Sequence, residues 1–561
     1  MTENLLPNEK MSIVAGPPLA DETGIGALTL GGWLREVTNQ FGESEALVMV
    51  EPGTAETVRW SYADLWERAN EVARALLACG VGKGTRVGVL MSNRPEFLSA
   101  VFGTALAGGV AATFSTFSTQ TELDHLLQLS ACSVLLLERR VLKTDFAKRL
   151  TALEPAVALA DPDTLVSLRY PFLRHVAAVG GGGGAIEEWD QFLERGRRVA
   201  QAQIDATAAT VTPADPGVLF FSSGSTAKPK GILSAHRGPT LQLWRWKRFL
   251  QARADARAWS ANGFFWSGNF AMAIGGALSS GGCLILQTTF HPAEALALME
   301  REKVTMAFAW PHQYAQLEAA PNWNSVDLSS MHYANVALAK HPTVHTDWQE
   351  PWGAYGNTET FTISSIFDSG TPAERVAGTN GVPLPGNVFK IVEPLSGAVV
   401  PLGVRGEIAI KGPTMMLGYV GIPLDETLDA DGFFHTGDGG YFDPEGRLHW
   451  EGRLSDIIKT GGANVSPIEI DSVLTSCPGV KVTQTVGVPH ETLGELVVAC
   501  IVLHAGAVLD EAAVQRFAKE SLASYKVPRR VLFFDESELE LTGSAKIKTA
   551  DLKALVIRRL S

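Results

Sequence analysis

The sequence predicts an α/β fold of mostly parallel sheets covered by helices, and three observations carry that prediction. Short apolar runs at 86–91, 110–113 and 133–137 have the length of buried strands, and segments with helical spacing of apolar residues lie between them. A chain of 561 residues can bury a large core, here expected as two domains of unequal size. Residues 220–231, Phe-Phe-Ser-Ser-Gly-Ser-Thr-Ala-Lys-Pro-Lys-Gly, follow directly on the apolar run 217–221, the pattern of a strand running into a phosphate loop.

Taken in order, residues 1–20 lack a basic region followed by an apolar one, so no signal peptide is expected and the chain reads as cytoplasmic. Ser61 is placed to cap a helix whose apolar positions Leu65, Ala69, Val72, Ala73, Leu76 and Leu77 recur at helical spacing and which ends at Gly80 and Gly82. Another helix begins near Pro95, which suits a first helical turn, and runs through Leu106. Residues 97–121 and 258–290 are uncharged, but the glycines that interrupt both, with the Ser and Thr of the first, argue for a buried core rather than membrane spans. The five glycines at 180–184 read as a flexible surface loop, since they have neither the helix start nor the donor side chain of a phosphate site. Residues 207–216 read as a polar connector leading into the phosphate loop.

Lys plus Arg number 47 against 60 Asp plus Glu, a formal charge of −13 that repels nucleic acid and anionic lipid. A polyphosphate must then be met by a local positive site. Five cysteines without any Cys-x-x-Cys indicate neither a zinc site nor a disulfide framework.

Residues 220–231 supply such a site. Ser222, Ser223, Ser225 and Thr226 offer hydroxyl donors, Gly224 opens conformations closed to other residues, and Lys228 and Lys230 bring positive charge. It is not a Walker A loop, in which Gly-Lys is followed at once by Ser or Thr, because here Gly231 follows Lys230. A solvated Ser/Gly turn is the plain alternative, and twelve such residues directly after an apolar strand outweigh it. The cluster Phe264, Phe265, Trp266 and Phe270 is open to two readings, core packing or an apolar substrate pocket. In residues 352–360, Tyr355 can stack on a base, Gly356 allows close backbone approach, Thr358 adds a hydroxyl, and Glu359 can bind a magnesium ion bridging phosphate oxygens. In His435-Thr436-Gly437-Asp438, the Asp438 carboxylate can accept hydrogen bonds from both hydroxyls of a ribose. Residues 452–470 join charged turns to a short apolar strand and a glycine loop.

In this order the four segments resemble the core motifs of adenylate-forming enzymes: acyl-CoA synthetases, the adenylation domains of peptide synthetases, and firefly-type luciferases. Gly406-Glu407, Gly412-Pro413, Gly418-Tyr419 and 431–434 also match, and 539–548 resembles the family's terminal lysine segment. The resemblance covers about residues 61–548 and is strongest to acyl-CoA synthetases. It implies a large N-terminal domain at 1–451 with a β-barrel-like subdomain, and a small mobile α+β domain at 452–561 hinged near Ser455. ATP, Mg2+ and coenzyme A are the implied cofactors, and a small carboxylic acid is the implied partner. Neither nucleic acid nor stable membrane insertion is expected, and the chain is expected as a monomer or homodimer.

By resemblance, Lys546, Glu359 and Lys230 are catalytic, with Glu359 on the metal. Arg453 joins Asp438 at the nucleotide, Gly461 and Gly462 line a pantetheine tunnel, and Phe265, Trp266, Phe270 and Asn335 line the acid pocket. The chain departs from the family at Ala545, where a glycine is frequent, at Glu540, where a proline is usual, and at Ser455, where the hinge is usually Asp or Lys. It has Tyr333-Ala334-Asn335-Val336 in place of a Gly-Gly-Ala wall, and Trp266 in place of a pocket histidine. The implied reaction is adenylation of an apolar or aryl acid followed by transfer to coenzyme A. A carrier protein, an amine or an internal hydroxyl remain alternative acceptors, and a non-catalytic ATP-binding protein is the alternative of another class. With no carrier module after Ser561, a multimodular peptide synthetase is not expected.

Overall fold

The computed structural model describes residues 10–50, 56–222, 229–350, 353–456, 458–460, 463–522, 526–538 and 549–560. The chain divides into two compact units, residues 15–387 with 411–430, and residues 1–14 with 388–410 and 431–561. Residues 388–410 and 431–451 are thus grouped with the C-terminal residues rather than with 15–387.

The larger unit is built on an eight-stranded sheet. Ile186–Glu188, His175–Val179, Val134–Glu138, Arg86–Leu90, Val110–Thr113 and Pro216–Ser222 (β1) lie side by side and parallel. Lys230–Ala235 (β2) then returns antiparallel to β1, and Gly418–Tyr419 (β3) adds antiparallel to β2 at the edge. Strand alternation sends Val218 and Phe220 into one apolar core and Leu219 and Phe221 into the core on the opposite face, so β1 is buried on both sides. A second sheet sets Met306–Phe308, Arg257–Ser260, Cys283–Leu286 and Glu45–Val50 parallel, with Thr57–Ser61 antiparallel to the last.

The expected elements are present with small changes of boundary. Ser61 caps the helix Tyr62–Ala78 in a capping box with Asp64, and Pro95 occupies the first turn of Pro95–Leu106. Residues 207–209 end the helix Gln201–Ala209, so the polar connector is shorter than expected. The run 258–290 folds as strand, short helix, a π-helical turn at Phe270–Ile274, helix and strand. No described helix is long and apolar enough to cross a membrane. The glycine run 180–184 is a loop, but a packed one: a Cβ on Gly184 would come within 2.5 Å of Val157 O, and its φ is +62°. Glycine serves there for close packing and a left-handed backbone, not for flexibility.

In the smaller unit, Ile13–Ala15, Val388–Val392, Gly406–Lys411, Phe434–Phe442 and Leu448–Arg453 form a five-stranded sheet in linear order. The resemblance implied a β-barrel-like subdomain; among the described residues these five strands pair in linear order. The remaining α+β part has the long hairpin Val480–His490 and Gly494–Leu503, with Arg530–Phe533 parallel to its second strand. Ile470 and Leu474 of helix Pro467–Thr475 and Val514 and Ala518 of helix Glu511–Ser521 bury their apolar faces with Val497, Ala499 and Ile501 of the hairpin.

Candidate active site

β1 and β2 form a hairpin whose register pairs Ser222 with Lys230, so the phosphate-loop sequence is the connection between two buried strands. Ser223, Gly224, Ser225, Thr226 and Lys228 lie outside the described residues. The described far end is anchored by His125, which donates from Nε2 to Pro229 O (2.9 Å). Lys230 is exposed at the start of β2, and its Nζ stands 4.7 Å from the centroid of the Tyr419 ring. The Tyr419 hydroxyl donates to Glu359 Oε1 (2.7 Å), and Met416 N donates to Glu359 O (2.7 Å). Three residues far apart in sequence thus form one cation–aromatic–carboxylate cluster.

Glu359 sits in the single 3-10 turn Thr358–Thr360, capped by Asn357, whose Oδ1 accepts from Thr360 N (3.0 Å). The chain then turns through left-handed conformations at Phe361 (φ 47°) and Thr362 (φ 81°). Two contacts hold this costly backbone. From helix Arg237–Leu250 (α1), the buried Gln242 donates from Nε2 to Phe361 O (2.9 Å) and Ile363 O (2.7 Å). The Phe361 ring packs edge-on to Phe220 of β1, with centroids 5.4 Å apart. Tyr355 is buried and bridges to Ser365 through its backbone. Gly356 is needed because a Cβ would overlap Thr362 O, so the close approach there is to the chain's own backbone.

The predicted pocket residues differ in burial. Phe270 is fully buried between Phe220 and Phe361, and Phe264 packs on Phe97. Phe265 is buried against Trp266, which is itself half-buried. Asn93 ties this segment in place: it donates from Nδ2 to Asn262 O (2.7 Å), and its Oδ1 accepts from Phe264 N (2.8 Å). Asn335 is half-buried, and its Oδ1 accepts from Leu338 N (3.1 Å) at the start of the turn Leu338–Lys340. Glu350 accepts no hydrogen bond among the described residues, and burial pushes its carboxyl up to about 7.

In the smaller unit, Asp438 is buried on the strand Phe434–Phe442 opposite Arg453, and its Oδ1 receives Arg453 Nε at 3.0 Å. Arg453 also donates from Nη1 to Thr436 O (2.8 Å). The turn before Asp438 is braced by Glu407, which accepts from Gly437 N (2.9 Å) and pairs with His435 Nδ1 (2.9 Å). The two predicted nucleotide residues thus occur as an ion pair. Gly461, Gly462 and Lys546 lie outside the described residues.

A profile described as AMP-binding enzyme matches residues 34–420, and one described as AMP-binding enzyme C-terminal domain matches residues 469–546. The chain belongs to the AMP-binding enzyme family. Among relatives, this AMP-binding enzyme is 31% identical over 540 residues to a propanoyl:CoA ligase of Mycobacterium tuberculosis whose acyl chain carries a methyl-dioxo-octahydro-indenyl group, covering 94% of this chain and 99% of the relative. It is also 31% identical over 538 residues to feruloyl-CoA synthase of an Amycolatopsis species, covering 93% and 98%. ATP-bound MatB of Rhodopseudomonas palustris shares its fold with a TM-score of 0.74 at 25% identity, covering 94% of this chain and 98% of MatB. The chemistry of this AMP-binding enzyme is that of an AMP-forming acid–thiol ligase, acid adenylation followed by transfer to coenzyme A.

The sequence offers Gly406-Glu407 and Gly418-Tyr419 as motifs without giving Glu407 or Tyr419 a role, and does not single out His125, Gln242 or Asn93. Each acts through one or two hydrogen bonds to a distant segment, and no local spacing carries that information. Only the occurrence of Gly406-Glu407 and Gly418-Tyr419 with the other motifs offered a signal.

Proposed function

We propose that the chain activates an apolar aliphatic or aryl carboxylic acid with ATP and passes the acyl group to coenzyme A in the cytoplasm. A carboxylate oxygen attacks the α-phosphorus, the bond to pyrophosphate breaks, and an acyl-adenylate forms. The thiolate of coenzyme A then attacks the acyl carbon and AMP leaves. The observation that carries this reading is the cluster of Lys230, Tyr419 and Glu359 at the end of the β1–β2 hairpin. It sets a cation, close in sequence to the residues that would cradle the phosphates, and a carboxylate against one aromatic side chain.

Lys230 neutralises phosphate charge, and Asp438 takes the ribose hydroxyls, sharing its carboxylate with Arg453. Phosphoryl transfer leaves a protein little covalent work, so positioning and charge neutralisation supply the rate. Among the described residues no three metal-binding side chains cluster, so a metal cage made by protein alone has no donor set there. A single carboxylate completed by substrate phosphates is the usual Mg2+ arrangement, and Glu359 fits it: Oε1 is held by Tyr419, and Oε2 accepts no hydrogen bond among the described residues. Bound there, Mg2+ would draw charge from the phosphate oxygens. Lys546 is assigned to the developing charge at the α-phosphate, Gly461 and Gly462 to the thiol passage, and residues 452–561 to rotation about Ser455 between the half-reactions.

The reading of an apolar acid is supported by the paired rings of Phe265 and Trp266 on the segment held by Asn93, and by the ring-bearing acids named for the two relatives. The test is acid-dependent pyrophosphate release over a panel of aliphatic and aryl acids, followed by addition of coenzyme A. Release with apolar acids, and AMP with thioester only after coenzyme A, is the expected result. Release without thioester formation would move the acceptor to a carrier protein or an amine, and no release with any acid would refute the proposal.

A further inference from the structure

We infer that Tyr419 is a positioning residue of the nucleotide site, holding Lys230 and Glu359 apart so that each faces one half of a metal–polyphosphate. The inference rests on the acid-adenylating function proposed above. A lysine and a glutamate on neighbouring elements, with nothing between them, would pair with each other and leave neither charge for a ligand. Neither Lys230 nor Glu359 has an ion pair among the described residues, although both touch the same side chain. Tyr419 meets each through a different part of its ring system. The negative face receives the Lys230 ammonium at 4.7 Å, and the hydroxyl, at the positive edge, donates to Glu359 Oε1 at 2.7 Å. This donor turns one carboxylate oxygen inward and leaves the other for a cation.

Backbone pairing explains why the ring stays in place. Tyr419 is in register with Ile232, Leu417 N donates to Leu233 O (2.7 Å), and Val420 N donates to Gly231 O (2.8 Å), so β3 is clamped to the strand that begins at Lys230. Met416 N binds Glu359 O, which ties the same short segment to the carboxylate's own backbone. One strip, residues 416–420, therefore fixes the spacing of the two charges. Phenylalanine could supply only the face, and leucine neither contact.

The experiment compares the whole chain with Tyr419→Phe and Tyr419→Leu. Mn2+ binding is followed by electron paramagnetic resonance in the presence of ATP without acid, and the Mg2+ dependence of acid-driven pyrophosphate release is followed in parallel. Tyr419→Phe should raise the half-saturating metal concentration about twofold to tenfold, the range for loss of one hydrogen bond, with ATP affinity little changed. Tyr419→Leu should lose metal and ATP affinity together. Tyr419→Phe removes one atom from a side chain it otherwise preserves, so it reads the proposal even where the leucine variant folds poorly. Glu359→Gln in the Tyr419→Phe background should add less than its separate effect, because both changes remove the same contact. Unchanged metal dependence in Tyr419→Phe, full additivity with Glu359→Gln, or a uniform fall in kcat without change in metal or ATP half-saturation would each overturn the assignment. Metal–ATP binding needs no acid, so a wild-type chain that releases no pyrophosphate counts against the proposed function and leaves the positioning measurement readable.

Discussion

Replacing Asp438 by alanine isolates the ribose contact. The carboxylate is buried, with 6% side-chain exposure against 50% for its partner Arg453. Losing the ion pair should therefore cost little, since Arg453 is half in solvent and a pair so exposed is screened. What alanine removes is a charged acceptor for the ribose hydroxyls, a contribution of about 1.5–3 kcal/mol. At about 1.4 kcal/mol per tenfold, KM for ATP should rise by about 12- to 140-fold, with kcat at saturating ATP within a few-fold of the parent. Asp438→Asn, which keeps the shape and loses the charge, should fall between. The assay is acid-dependent pyrophosphate release at varied ATP, with thermal melting as the control for folding. An unchanged KM for ATP in a folded Asp438→Ala would refute the ribose assignment. A large drop in melting temperature would instead show that the Asp438–Arg453 pair and the Glu407-braced turn are chiefly structural.

Gly356→Ala must displace Thr362 O and the left-handed turn around it, so it should destabilise by about 1–3 kcal/mol, read as a lower melting temperature, and weaken metal use through Glu359. A melting curve that matches the parent would contradict the packing described. Glu350 holds its proton up to about pH 7 when folded and, like any carboxyl, only to its ordinary lower pKa when unfolded. Between those values the folded state binds the extra proton, so stability falls as pH rises through that window, and Glu350→Gln should become progressively more stable than the parent from pH 5 to pH 8. A difference in melting temperature that does not vary with pH would show that Glu350 is not the group responsible. Lys546→Ala should slow adenylation by about a hundredfold or more while still converting a supplied acyl-adenylate and coenzyme A to thioester; equal loss of both half-reactions would reject alternation about Ser455.

The strands and helices around the site were legible because their signals are local. The unbroken apolar run 217–221, the Ser61–Asp64 capping box and Pro95 at a helix start each depend on residues within one element. The aromatic cluster at 264–270 was not resolvable in the same way. A buried core and an apolar pocket use the same residues, and only packing separates Phe270, enclosed by Phe220 and Phe361, from half-buried Trp266. The glycines at 180–184 show the converse error: composition suggests looseness, whereas Gly184 is required by contact with Val157 O.

By itself the sequence determined the chemistry-bearing segments and their order, because hydroxyls, lysines and carboxylates in fixed local spacing are readable without a fold. It also determined the class of fold, through strand-length apolar runs alternating with helical periodicity. Tertiary structure alone decided which of these groups meet. Lys230, Glu359 and Tyr419 are brought together by an antiparallel return after β1, an edge pairing of β3 on β2, and a left-handed turn held by Gln242. The return is a local hairpin, but the edge pairing and the Gln242 contacts join segments more than a hundred residues apart, set by sheet register and side-chain packing, for which local sequence has no period and no spacing.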